Sequence, residues 1–147
     1  MYPILLTVHG ALRWLILAAA LWAVVLAFTG WLAAKPWTKR ARIAGVVYVG
    51  LFDLQLLLGL ALYFLSPVVK AALGNMGVAM KEHELRFFAV EHIFEMVLAL
   101  AVAHAGSVLV KKIADDAGKY RAAALCYGTS LVLVLAAIPW WRPLLRF

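Results

Sequence analysis

Apolar residues run along this chain in four long stretches, broken by short clusters of polar and turn-forming residues. The stretches are about Ile4–Ala33, Ile43–Leu65, Leu85–Val110 and Ala122–Trp141. Each reaches the roughly 20 residues that a helix needs to cross a hydrocarbon core of ~30 Å. The pattern predicts an all-α fold, a four-transmembrane-helix bundle running up-down-up-down, with residues 1–147 as a single integral membrane domain. The links Lys35–Arg42 and Lys111–Arg121 are short, which favours antiparallel neighbours. The link Ser66–Glu84 is the longest and contains Pro67, Gly74 and Gly77. Part of it is expected to lie as an amphipathic helix on the membrane surface.

Composition strengthens this picture. The chain is 67% hydrophobic and 14% charged, against about 45–50% and 25% in soluble domains. A soluble chain this small cannot hide so much apolar surface. The first stretch is too long for a cleavable signal and carries Arg13 within it, so it reads as a helix that stays. Cys126 stands alone and cannot form an internal disulfide. The formal net charge of +7 would suggest nucleic acid in a soluble protein. Here the basic residues flank the apolar stretches, so the charge reads as topology and headgroup contact, and no nucleic-acid partner is expected. Lys35, Lys39, Arg40 and Arg42 lie in the first link and Lys111, Lys112, Lys119 and Arg121 in the third. The middle link has Lys70, Lys81 and Arg86, and the C-terminus has Arg142 and Arg146. That bias places both termini on the outer side of a bacterial cytoplasmic membrane. Trp37 at one face and Trp140 and Trp141 at the other suit the aromatic belts.

Ionisable residues inside the stretches are costly and point to function. They are His9 and Arg13 in the first, Asp53 in the second, and Glu91, His92, Glu95 and His104 in the third. His9 lies about five residues into helix 1 and His92 about seven into helix 3. At ~1.5 Å per residue both sit roughly 10 Å below the outer surface. A lone histidine in a span often serves only a helix–helix hydrogen bond. Two level histidines can instead clamp a flat macrocycle, as the axial ligands of one haem b iron. Gly10 would let the ring approach the backbone, and Arg86, with Lys81 and His83, could pair with its carboxylates.

The same depths predict an Arg13–Asp53–Glu95 cluster, read either as structural glue or as a proton path or quinone contact. His104 lies about 18 Å deeper than His92. It reads as a structural histidine, with a second, weaker haem site as the alternative. The His92–Glu95 pair lacks the partner motif of a di-metal carboxylate site. The chain has no CxxCH motif, so haem would not be covalently attached. No catalytic nucleophile or hydrolytic triad is visible, so any enzymatic role would be redox chemistry.

The stretches His9-Gly10-Ala11-Leu12-Arg13-Trp14, Leu54–Phe64, Arg86-Phe87-Phe88-Ala89-Val90-Glu91-His92 and Ile138-Pro139-Trp140 resemble small four-helix bacterial membrane proteins labelled cytochrome b. The resemblance covers nearly the whole chain. It implies a haem-binding electron carrier working with quinone or other membrane subunits. In that family the position two before Gln55 is often histidine; here it is Asp53. This departure favours His9 and His92 over any second pair. Two other functions fit the same residues: a cofactor-free accessory subunit of a respiratory or photosynthetic complex, and a chlorophyll-binding subunit.

Overall fold

A computed structural model describes residues 1–142. Arg146, counted above for topology, lies outside the described residues. The described chain is helical, with no strand. The elements are α1 (Tyr2–Leu32), α2 (Lys39–Leu65), α3 (Pro67–Gly74), α4 (Met76–Ala79) and α5 (His83–Arg86). A π-helical turn (Phe87–Glu91), α6 (His92–Lys112) and α7 (Asp116–Ala136) follow. Three helices are long and apolar enough to cross a membrane among the described residues: Tyr2–Leu32, Lys39–Leu65 and the continuous run His83–Lys112. The fourth long helix, α7, carries Asp116, Lys119 and Arg121 in its first two turns, which dilutes its apolar character.

The helix ends follow from local chemistry. Helix α1 begins with Pro3 in its first turn, where a missing N–H costs nothing. It ends at Ala34, whose φ of 49° is left-handed. The Lys35 N–H reaches the Gly30 carbonyl and the Ala34 N–H reaches Trp31, the paired bonds that close a helix end. Thr38 caps α2 by accepting from the Ala41 N–H at 3.1 Å. Ser66 closes α2 and caps α3, with Pro67 at its first position. Asp115 accepts from the Gly118 N–H at 2.6 Å and starts α7. Helix α7 therefore begins six residues before the expected Ala122 and ends five before Trp141. Asp115 supplies an early cap that hydropathy cannot see, and Pro139 disfavours helix in the residue before it. The middle link, where a helix was expected, contains α3, which buries Val69 and Ala72.

The four long helices pack in a closed ring: α1 on α2, α2 on α6, α6 on α7, and α7 on α1. Alanines line the contacts, including Ala19, Ala20, Ala23, Ala44, Ala99, Ala103, Ala123 and Ala124. Small residues let backbones approach closely, which matters where lipid removes the hydrophobic drive between helices. Large side chains face outward instead. Leu57, Phe94 and Val132 are each about two-thirds exposed (65%, 66% and 65%), an inside-out arrangement that suits an apolar solvent.

Candidate functional site

The ring of helices is not uniformly filled. A cavity of about 180 Å³ opens at the end where α1 starts and α2 finishes. Its walls include His9 and Arg13 of α1, Gln55, Gly59 and Tyr63 of α2, His92 of α6, and Arg142 beyond α7. Most of the lining is apolar, which leaves these few polar groups to set its chemistry.

Two histidines meet across this cavity. The ring centroids of His9 and His92 are 6.4 Å apart, with the planes inclined at 69°. The depth match expected from sequence is therefore realised in space. His92 Nδ1 lies 2.8 Å from the Ala137 carbonyl oxygen. A carbonyl can only accept, so Nδ1 carries a proton, and in the neutral imidazole Nε2 then keeps its lone pair. That is the arrangement seen in metal-ligating histidines, whose second nitrogen donates to a carbonyl or carboxylate. On the other wall, His9 Nδ1 is buried with no hydrogen-bond partner. The Gln55 side-chain amide donates to the His9 backbone carbonyl at 2.9 Å, while Gln55 Oε1 has no partner. Gly59 packs against His9: a Cβ there would stand 3.3 Å from His9 Cε1. Gly10, by contrast, faces open space, since a Cβ would meet no atom within 4 Å.

The π-helical turn positions His92. The His92 N–H bonds back to the Phe87 carbonyl, one residue further than in an α-helix. Such single wide turns recur at functional sites and rotate the residues that follow them. Tyr63 Oη donates to the Ala89 carbonyl inside the turn at 2.9 Å, tying it to α2. The rings of Phe87 and Phe88 flank His92 at 5.6 and 6.2 Å. Hydropathy cannot register this turn, because the apolar run continues through it unbroken.

Arg13 is half-buried, lines the cavity one turn below His9, and lies 5.5 Å from the ring centre of Trp14. Arg86 does not face the cavity. Its Nε donates to Glu91 at 2.6 Å and its Nη1 to the Met80 carbonyl at 3.1 Å. The pairing with Glu91, five residues on, holds it against the link. Arg142 takes the place expected of Arg86: it lines the cavity, pairs with Glu84, and stacks 4.3 Å over the Phe88 ring. In sequence Arg142 registers only as a topology charge, and nothing there marks Glu84 as its partner.

The expected Arg13–Asp53–Glu95 cluster does not form. Asp53 turns to the α2–α6 seam and its Oδ1 lies 2.8 Å from His104 Nε2. Glu95 is half-buried and shares no ion pair with Arg13 or Asp53. Depth alone predicted the cluster, but rotation about the helix axes separates residues that share a level. His83 sits between Phe87 and Trp141, at 6.1 and 4.8 Å, away from the cavity lining. Among the described residues no group of three or more histidine, cysteine, aspartate or glutamate side chains is arranged to hold a metal ion. His9 and His92 are the two imidazoles that line the cavity together.

Comparison of the chain with protein-family models, with curated proteins and with solved structures finds no match.

Proposed function

We propose that this chain is a membrane b-type cytochrome of four spans, running up-down-up-down, that holds one haem b between His9 and His92. The observation that carries the reading is the facing imidazole pair at 6.4 Å. Two imidazoles facing one another across a cavity are the donors that would hold such a group. The donor set fits: His92 is oriented by the Ala137 carbonyl with Nε2 available, and His9 has a buried nitrogen that the protein leaves unpartnered. Arg13 and Arg142 bring two cations to the cavity lining, suited to the carboxylates of the macrocycle. The cavity of about 180 Å³ is smaller than ligand pockets of ~300 Å³ and above. Side chains of its lining, among them Leu6, Leu56 and Leu60, would have to move aside for the group to enter.

A bound haem b would supply a one-electron iron couple. The protein's part is to hold and tune it. His92, oriented by the Ala137 carbonyl, and His9 would hold the group; the apolar walls would exclude water; and Gly10 would leave room beside His9. The electron would pass between a membrane carrier, of which quinol is the natural class, and a partner on the outer side of a bacterial cytoplasmic membrane. The scarce extramembrane mass fits work within a larger complex.

A visible spectrum and a pyridine haemochrome assay on the purified protein test the reading. A low-spin b-type spectrum is expected. His9→Ala and His92→Ala should each abolish it, while His104→Ala should retain it, with helical content unchanged in all three. Absence of haem from the well-folded protein overturns the reading in favour of a cofactor-free accessory subunit. A chlorophyll spectrum would overturn it in favour of a pigment subunit.

A further inference from the structure

Asp53 and His104 form an ionisable pair inside the apolar helices, and it faces outward. Their side chains are 47% and 49% exposed. Asp53 is the fifteenth of the 27 residues of α2, near its middle, and His104 lies well inside the run His83–Lys112. Both helices are among those able to cross a membrane. At that depth lipid tails offer neither donors nor acceptors, so an outward polar pair needs a partner.

The chemistry of the pair specifies that partner. The bond between Asp53 Oδ1 and His104 Nε2 uses one proton. A pair with no net charge, the form least costly in lipid, holds one more proton, on His104 Nδ1. It then presents one donor, Nδ1–H, beside one acceptor, Asp53 Oδ2. Neither atom has a further hydrogen-bond partner among the described residues. A donor beside an acceptor is self-complementary. Two copies of one chain inserted in the same direction are related by an axis along the membrane normal, which brings equal depths face to face. Each Nδ1–H then meets the other copy's Oδ2, and the orphan groups of both copies are satisfied.

The surrounding surface is shaped for that approach. On α2 the outward residues Val46, Gly50, Asp53 and Leu57 follow at intervals of four, three and four. On α6, Val97, Ala101, His104 and Val108 repeat the same intervals. These are the spacings of one helix face in interhelical packing. Each strip places a small residue one turn from its polar one. A Cβ added at Gly50 would meet no atom within 4 Å, so the monomer does not need glycine there. Close approach of another backbone does.

We infer that the α2–α6 face, centred on Asp53 and His104, is the contact between two copies of this chain in a twofold homodimer. The inference needs α2 and α6 in the membrane and is independent of haem.

The test is the oligomeric state of the purified full chain in lipid vesicles, read by cysteine cross-linking, with mass measurement in mild detergent. In a Cys126→Ser background, Ala101→Cys should yield roughly tenfold more covalent dimer than Leu15→Cys, which is exposed on α1. Gly50→Leu should abolish dimer while leaving helical content and thermal stability of the monomer intact. The double variant Asp53→Leu/His104→Leu should weaken the dimer roughly tenfold through loss of the paired hydrogen bonds. A monomeric wild type overturns the inference, as does a dimer that survives Gly50→Leu and the double variant unchanged. A monomer that binds a short-chain hydroquinone, with binding lost on Asp53→Leu, also overturns it and assigns the pair to a lipid-soluble ligand.

Discussion

The two ends of the molecule solve the problem of interior polar groups in opposite ways. From the middle of the bundle to the end where α1 finishes and α2 starts, the hydroxyls are satisfied within the protein. Tyr48 Oη and Ser130 Oγ are 2.6 Å apart, and Ser130 donates on to the Ala99 carbonyl at 2.7 Å. Tyr127 Oη lies 3.1 Å from Ser107 Oγ, and Tyr120 Oη donates to the Pro36 carbonyl at 3.0 Å. Glycines there are packing devices: a Cβ at Gly30, Gly45 or Gly106 would collide with Tyr120, Tyr127 or Cys126. At the other end, His9 Nδ1 and Gln55 Oε1 are buried without partners beside a cavity. One end is complete in itself. The other keeps polar atoms and space that its own side chains do not use, and unsatisfied buried groups are costly unless something else answers them.

The sharpest way to break this contrast is to add one methyl group at each end. At the packed end, Gly106→Ala places a Cβ 2.6 Å from Cys126 Cβ and 3.2 Å from Tyr127 Cε1. A Cβ is fixed by backbone, so α6 and α7 must separate, with an expected loss of about 1–3 kcal/mol. Thermal unfolding in detergent followed by circular dichroism should show it as a clearly lowered midpoint. A midpoint at or above wild type would mean that α6 and α7 are not in close contact. Next in size is Ser130→Ala, which leaves the fully buried Tyr48 hydroxyl without its partner and removes the second hydrogen bond to the Ala99 carbonyl. We expect a loss of about 1–2 kcal/mol by the same measurement. An unchanged midpoint would indicate that water or a rotated Tyr48 restores the network.

Part of the fold and one side of this contrast were legible in the sequence, and the rest was hidden for identifiable reasons. The four long helices, their approximate bounds and the pairing of His9 with His92 follow from run length and the rise per residue. Both are one-dimensional quantities. What failed was anything that depends on rotation. Asp53 shares a depth with the Arg13–Glu95 region but points to the α2–α6 seam, where His104 waits. Arg86 lies near the correct level but is taken by Glu91, and Arg142 arrives from 56 residues away. The wide turn at Phe87–Glu91 changes the angular register of everything after it, without altering a single hydropathy value. The hydroxyl pairs of the packed end were equally invisible, because Tyr48 and Ser130 are 82 residues apart.

The smallest expected effect is the most informative, because its sign reverses between two measurements. Gly10→Ala adds a methyl where no atom lies within 4 Å. Gly10 lies inside α1, and replacing a helix-interior glycine by alanine favours the helix by roughly 0.5–1 kcal/mol. The protein without cofactor should therefore unfold slightly later, the opposite of Gly106→Ala. The same methyl intrudes on the space beside His9, since Gly10 lines the cavity. If a haem occupies that space, the variant should retain less of it on purification and release it more readily to an apoprotein acceptor. A gain in stability of the cofactor-free chain joined to weaker haem retention would locate the macrocycle against α1. A gain in stability with haem retention unchanged would place any bound group elsewhere in the cavity and remove Gly10 from its cradle.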